Sequence, residues 1–467
     1  MRRTPLIVAV LLAGCALKTP PTHTDVIGQA LPSDTRIQPA WRADARGGEV
    51  DNDWLKTFAD AALSAIVAEA IAHNPDLRAA AAQVAIAQQA VVVVGSRLQP
   101  WVGLKLGATA THDEDNGSSG NSTAFVGVAW ELDVWGRLRA QHAASEANAQ
   151  AVALDYAYAR QSLAATTAKL WYLCVEARQV VALNQRAVAI YGDLLGLVQL
   201  RRNAGKDSDL DVVDVRAKVE AAQSETARAE EAYGEARRGL EALLGRYPAA
   251  EIEVAAVYPA LPPLAGAGVP SALLERRPDL LAAEREVLVA FRREEAAQLA
   301  LLPEFSLSLA GGRLGDQVLS LLQLNPWLAS AGIGVSIPIY EGGALRAKVE
   351  IATAQQQQAV ARYGAVVLTA FKEVENSLAN ERLLALQLPL DTKAAADRGE
   401  AVRIATVQYK AGRRDLLWVA QLQTAQLASE ATLIKLRATQ RTNRVQLIQA
   451  LGGSFDAQPA TSTAIAQ

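Results

Sequence analysis

The sequence predicts a mainly α-helical chain with a membrane β-barrel portion, built from a duplicated helix–strand–strand–helix–helix unit. Three observations carry this prediction. Landmarks recur in one order at a nearly constant offset. A long proline-free stretch holds a heptad stripe. Four short segments alternate apolar and polar residues.

The repeat comes first. Asn74-Pro75-Asp76-Leu77 returns as Arg277-Pro278-Asp279-Leu280, and Leu98-Gln99-Pro100 as Leu301-Leu302-Pro303, each 203 residues later. Leu138-Arg139-Ala140 returns as Leu345-Arg346-Ala347, Ala204-Gly205 as Ala411-Gly412 and Leu244-Gly245 as Leu451-Gly452, each 207 residues later. Five landmarks in order, with one small insertion, define a first repeat over 54–247 and a second over 278–452. A linker (248–277) joins them and a tail (453–467) follows.

The helices follow from periodicity. Each repeat opens with a helix (Asp76–Arg97; Asp279–Leu301) that a proline stops. No proline occurs between Pro100 and Pro248, so a helix is expected over 138–203. Val152, Tyr156, Ala159, Leu163, Thr166, Leu170 and their successors through Val198 alternate in steps of four and three, a coiled-coil seam. At 1.5 Å per residue that helix is about 100 Å long, which calls for an elongated molecule. Its counterpart, 345–410, contains Pro389, where a kink is expected. Shorter helices are expected over 207–245 and 413–451, so that two short helices stacked end to end run beside each long one.

The strands change the period from 3.6 to 2. They are expected at about 101–111, 123–135, 303–311 and 331–341, each with one apolar face, such as Val102, Leu104, Leu106 or Ile333, Val335, Ile337. Asp113–Ser122 reads as an exposed polar turn, and Trp130, Trp135 and Tyr340 suit an aromatic girdle. Four strands cannot close a barrel in lipid without leaving backbone groups unpaired. Three copies would supply twelve strands around a water-filled lumen and twelve helices around a tunnel. Two copies would supply eight strands, whose interior side chains fill.

Composition restricts the function classes. The 467 residues are 51% hydrophobic and 20% charged, with a net charge of -3 and no basic block, so neither disorder nor nucleic-acid binding is indicated. The two cysteines and four histidines lie at no metal-ligand spacing, and no phosphate loop, nucleophile elbow or His–acid dyad is present. No enzyme activity and no cofactor are expected. Arg2 and Arg3 precede the apolar run Leu6–Leu12 and then Leu12-Ala13-Gly14-Cys15: a signal peptide (1–14) ending in a lipobox, with Cys15 as the lipid (palmitate) attachment point. Residues 15–53, rich in Pro, Thr and Asp, read as a lipidated tether. Cys174 lies on the helical stripe and reads as packing.

At this point the chain resembles the TolC-type outer-membrane efflux factors, in the lipoprotein branch of OprM and NodT. The matching motifs are Trp54-x3-Phe58-x-Asp60-x2-Leu63, Asn74-Pro75-Asp76-Leu77, Leu132-Asp133-Val134-Trp135-Gly136-Arg137, Arg276-Arg277-Pro278-Asp279-Leu280, Pro338-Ile339-Tyr340-Glu341-Gly342-Gly343 and Tyr409-x-Ala411-Gly412. The resemblance implies a homotrimer, lipid-anchored in the bacterial outer membrane, whose barrel continues into a periplasmic helical tunnel. It would serve as the exit duct of a tripartite efflux or secretion system, with a periplasmic adaptor and an inner-membrane pump as partners. A trimeric coiled-coil adhesin or spacer without a pore is the competing reading.

The turns Ala204-Gly205 and Ala411-Gly412 would lie at the periplasmic tip, where an adaptor docks and the channel closes. The resemblance implies an acidic ring just after the second-repeat turn, but Trp418 and Gln421 stand there. The first repeat carries Asp207, Asp209, Asp211 and Asp214 instead. Asp211 and Asp214 are candidates for a cation-selective constriction narrowed by Trp418, with Gln421 a further candidate; alternatively the four aspartates are helix N-cap and first-turn residues favoured by the dipole. Arg201, Arg202, Arg413 and Arg414 either lock the tip by ion pairs or stabilise helix C-termini.

Overall fold

The computed structural model describes residues 17–32, 34–43, 50, 52–113, 115, 117–263, 266–315 and 327–454. The signal segment 1–14, Cys15 and most of the tail 453–467 lie outside the described residues. In chain order the elements are α1 (His23–Ala30), α2 (Trp54–Thr57), α3 (Ala61–His73), α4 (Pro75–Gly95), β1 (Trp101–Asp113), β2 (Gly117–Leu132), α5 (Arg137–Asn203) and α6 (Asp209–Leu243). The second half follows with α7 (Pro270–Arg276), α8 (Pro278–Leu299), β3 (Glu304–Gly315), β4 (Leu328–Ser336), α9 (Ala344–Lys410) and α10 (Leu416–Ala450). Helices α5 and α9 both have 67 residues, and α6 and α10 both have 35, so the duplication holds to the residue in these elements.

The chain divides into two compact units. One comprises Met1–Arg36, Ala81–Asp155 and Asp279–Val366; the other comprises Ile37–Ala80, Tyr156–Pro278 and Val367–Gln467. The first unit contains a four-stranded antiparallel meander in the order β1-β2-β3-β4. The second contains a helical core.

That core explains the Trp54-x3-Phe58-x-Asp60-x2-Leu63 motif. Trp54, Phe58 and Leu63 are buried with Trp171, Tyr172 and Leu240. Asp60 caps α3 by accepting from Leu63 N at 3.0 Å, and its second oxygen accepts from Trp171 Nε1 at 3.1 Å. Cys174 sits in the same core, where burial pushes its thiol up to about 12.

The Pro-Asp-Leu landmarks have equivalent jobs in the second unit. Asn74 accepts from Leu77 N at 2.9 Å and donates to Leu243 O at 2.9 Å. Arg277, its counterpart, donates to Ala450 O at 3.2 Å and to Glu373 at 2.7 Å. Leu243 and Ala450 are themselves 207 apart, each in the last turn of its repeat's final helix. Each landmark therefore ties the start of its repeat to the end.

Ahead of α7 the described linker residues form no helix or strand, so side chains supply backbone partners. Glu241 accepts from the N–H groups of Ala250, Glu251 and Ile252 at 2.6, 2.6 and 2.8 Å. Burial opposes its charge, yet the three donors hold the carboxyl below its usual range. Arg441 donates to Pro259 O at 2.9 Å and covers the Tyr258 ring at 4.2 Å, and Arg444 donates to Pro262 O at 2.7 Å.

Several boundaries differ from the sequence expectation. Residues 117–122 are not a turn. They extend β2, with Asp113 opposite Gly117, leaving three residues between the strands. Gly, Ser and Asn signal a turn only where the backbone lacks another partner, and here the ladder supplies one. β4 ends at Ser336, before Pro338, which has no N–H to donate; Ile337, Ile339 and Tyr340 follow the strand as exposed residues. Helix α9 runs uninterrupted through Pro389. The final helix of the first repeat, α6, starts at Asp209 and not at 207, because Ser208 is its N-cap. The segment read as a tether carries α1 and buries Val26, Leu31, Trp41 and Val50, so it is packed.

Candidate functional site

Two places stand out: the sheet and the turns that end the long helices. Strand register places every residue of the meander on one of two faces. One face aligns Val102, Val128, Leu309 and Ala331 in a row, with Trp130, Leu307 and Ile333 in another and Leu132, Phe305 and Val335 in a third. The opposite face aligns Gly103, Gly127, Ala310 and Ser330, next to them Trp101, Ala129, Ser308 and Gly332, and beyond these Glu131, Ser306 and Gly334. The first face is apolar and broadly exposed: Val102 is 63% accessible, Leu104 65% and Ile333 79%. A polar environment would not tolerate a patch of this extent, whereas lipid would.

Where the sheet meets the helices, polar side chains fix the exits. Asp133 accepts from Leu138 N and Arg139 N, both at 3.0 Å, capping α5. Arg137 bonds Glu131 of β2 and reaches Glu304 of β3 at 3.3 Å. Of the girdle candidates, Trp130 donates to Leu98 O at 3.0 Å and Trp135 to Pro303 O at 2.8 Å, while Tyr340 is exposed.

The face assignment makes a testable prediction. Ile333→Arg is expected to cost about 2–4 kcal/mol if that residue lies near the membrane midplane, whereas Ser306→Arg is expected to cost little. Urea midpoints of the folded protein in lipid would measure both, and equal costs would refute the assignment.

The tips lie in the second unit. Gly205 and Gly412 both adopt φ +72°, which lets the chain reverse after α5 and α9. Lys206 N donates to Arg201 O and Arg413 N to Gln408 O, both at 2.9 Å, closing matching helix ends. Beneath the turns Val198, Val212, Val215, Ala405, Leu416 and Val419 are buried together.

A polar latch joins the two turns. Arg201 Nε donates to Asp207 at 3.0 Å and its Nη1 donates to Tyr409 O at 3.1 Å, with the guanidinium 4.4 Å from the Tyr409 ring centre. The Tyr409 hydroxyl donates to Asp207. Burial, and then the neighbouring Asp207, raise the Tyr409 phenol above its usual range, and Asp207 likewise raises Arg201.

The candidate constriction residues have separate local partners. Asp211 completes a capping box with Ser208, accepting from Ser208 N at 2.8 Å. Asp214 pairs with Lys218 at 3.5 Å. Arg202 pairs with Asp209 at 2.7 Å. Asp415 caps α10 through Trp418 N at 3.0 Å, and Arg414 lies over the Trp418 ring at 5.3 Å. Gln421 is exposed. The sequence therefore located the turns and Arg201 but gave Tyr409 no role. The Tyr409–Asp207 pair spans 202 residues and has no local signature. Among the described residues no group of three or more His, Cys, Asp or Glu is placed to hold a metal ion.

Known proteins share this architecture along the whole chain. The chain is 28% identical over 470 residues to the pyoverdine export outer membrane protein OpmQ of Pseudomonas putida, covering 98% of each. It is 28% identical over 474 residues to the outer membrane protein OprJ of Pseudomonas aeruginosa, covering 97% of this chain and 95% of that one. Among solved structures, the outer-membrane channel OprN superposes with a TM-score of 0.82 at 24% identity, covering 91% of this chain and 99% of that one. The open-state MtrE channel of Neisseria gonorrhoeae gives 0.81 at 23%, covering 92% and 99%. The family model for outer membrane efflux proteins matches twice, over residues 66–246 and 269–453, once per repeat, and the chain belongs to the outer membrane efflux protein family.

Proposed function

We propose that three copies of this chain close one twelve-stranded barrel in the outer membrane, continuous with a twelve-helix periplasmic tunnel, as the passive exit duct of a tripartite system. One observation carries the reading. The meander has an apolar face and a face made mostly of small and polar residues, and its two outer strands, β1 and β4, each pair on one side only among the described residues. In lipid both margins must be paired. An antiparallel sheet of four strands presents opposite strand directions at its margins, so β1 of one copy can continue β4 of the next.

The lipid on Cys15 would hold each copy in the membrane. A periplasmic adaptor would meet the tips, and an inner-membrane pump would supply energy and choose the cargo. Relatives are named for pyoverdine, toluene and antibiotic export. For this chain the corresponding cargo class is small molecules delivered by its own pump.

Heat-resistant trimers in detergent with single-channel conductance in planar bilayers are the expected result. A non-conducting trimer would favour the adhesin or spacer reading, and a water-soluble monomer would defeat both. In the conducting trimer, Asp211, Asp214, Trp418 and Gln421 are proposed to line a cation-selective constriction. Asp214→Asn spares the capping box and is expected to lower the cation-to-anion permeability ratio. An unchanged ratio would remove Asp214 from the pore.

A further inference from the structure

The N-terminal segment has a receptor built for it. On α8, Glu295 and Arg292 pair at 2.7 Å, and both are nine-tenths or more buried. Together they hold one stretch of main chain. Glu295 Oε1 accepts from Lys18 N at 2.6 Å, and Arg292 Nη1 donates to Lys18 O at 2.8 Å. One residue earlier, Leu17 Cδ2 lies 3.4 Å from where a Cβ on Gly136 would be. Gly136 stands four residues past the end of β2, and α8 leads into β3, so both contacts sit where the sheet gives way to helix.

The docking continues downstream. Thr22 and Asp25 form a capping box that starts α1, and His23 Nδ1 lies 2.9 Å from Glu284 Oε2. Val26 and Leu31 are buried. At Gly364, inside α9, a Cβ would fall 2.3 Å from Ala30 O. Intrinsic propensity disfavours glycine within a helix. The close passage of α1 accounts for this one.

We infer that residues 17–31 form a docked strap that fixes where the acyl chains on Cys15 enter the membrane, beside the helix-proximal rim of the barrel. The inference rests on the proposed lipidation and barrel. Two peptide links separate Cys15 from Leu17, a reach of at most about 7 Å. An acyl group on Cys15 would therefore start within that reach of Leu17. The Arg292–Glu295 pair reads only backbone N–H and C=O, so it positions the chain whatever side chains flank the cysteine.

Trypsin cleavage after Lys18, on the full chain in lipid, tests this. Gly364→Ala would favour α9 by propensity but expel α1. Arg292→Met combined with Glu295→Leu removes both backbone contacts without stranding a buried charge. Parent protein is expected to resist cleavage, and both variants to be cut about tenfold or more faster, because proteolysis follows the open population. Mass spectrometry of the released Cys15–Lys18 fragment is expected to show the acyl mass. Equal cleavage rates with an acylated fragment would overturn the strap alone. A fragment without acyl mass would overturn the lipid reading and the inference with it.

Discussion

Glu381→Ala is expected to destabilise the second unit by about 3–5 kcal/mol, because it strands a buried guanidinium. Arg444 bonds Glu381 through Nε at 3.1 Å and Nη2 at 2.9 Å, and both side chains are 8% accessible. Asn443 Nδ2 adds a bond to Glu381 at 3.1 Å and another to Ser377 O at 3.0 Å. Removing the carboxylate leaves Arg444 with Pro262 O as its remaining partner, and so loosens the linker as well. The double variant Glu381→Met, Arg444→Leu removes both charges and is expected to recover much of the loss, less what the orphaned Pro262 carbonyl costs. Urea denaturation followed by circular dichroism would measure both. A single variant within about 1 kcal/mol of the parent would show that water reaches the pair.

Asp207→Ala is expected to act by the same physics at the tip. Asp207 and Arg201 side chains are 7% and 15% accessible, and Asp207 also takes the Tyr409 hydroxyl. Its loss removes the acceptor of the Tyr409 hydroxyl and the carboxylate partner of Arg201, which keeps the Tyr409 carbonyl and ring as contacts, and so leaves a largely buried cation, a cost of up to about 3–5 kcal/mol. The damage should stay local, since the Ser208–Asp211 capping box, the Asp415 cap and the core beneath are untouched. Faster amide exchange is expected around 201–207 and 408–413, with protection of the Trp54–Tyr172 core unchanged. Tyr409→Phe removes one hydrogen bond to a charged acceptor and should cost less, about 1.5–3 kcal/mol. If the tip gates a duct, conductance should rise in the same order. Unaltered exchange in Asp207→Ala would show that the latch holds nothing.

The sequence disclosed this fold wherever the physics repeats. A duplicated chain displays each landmark twice, so Asn74 and Arg277 could be aligned without knowing that both reach a closing helix. Sheet faces were readable because a period of two survives in Val102, Leu104 and Leu106. What escaped notice has equally concrete causes. The upper part of β2 is written in Gly, Ser and Asn, which resemble a loop when the partner strand is unknown. Helix α1 follows Pro20-Pro21, and its apolar side chains are too few for a periodic signal. Asp211 reads in the sequence either as a helix-start residue or as a pore carboxylate, and the structure adds the Ser208 partner that makes it half of a capping box. Contacts between residues 202 apart, such as Asp207 with Tyr409, leave no trace in one sequence.

The sealed position of Cys174 matters for an assembly in an oxidising compartment. A thiol held in its neutral form beneath Phe58 and Tyr172 offers no nucleophile to disulfide exchange. In the proposed assembly, neighbouring copies would then escape mispaired bridges through this sulfur, and cysteine pairs engineered across them would form without competition from Cys174.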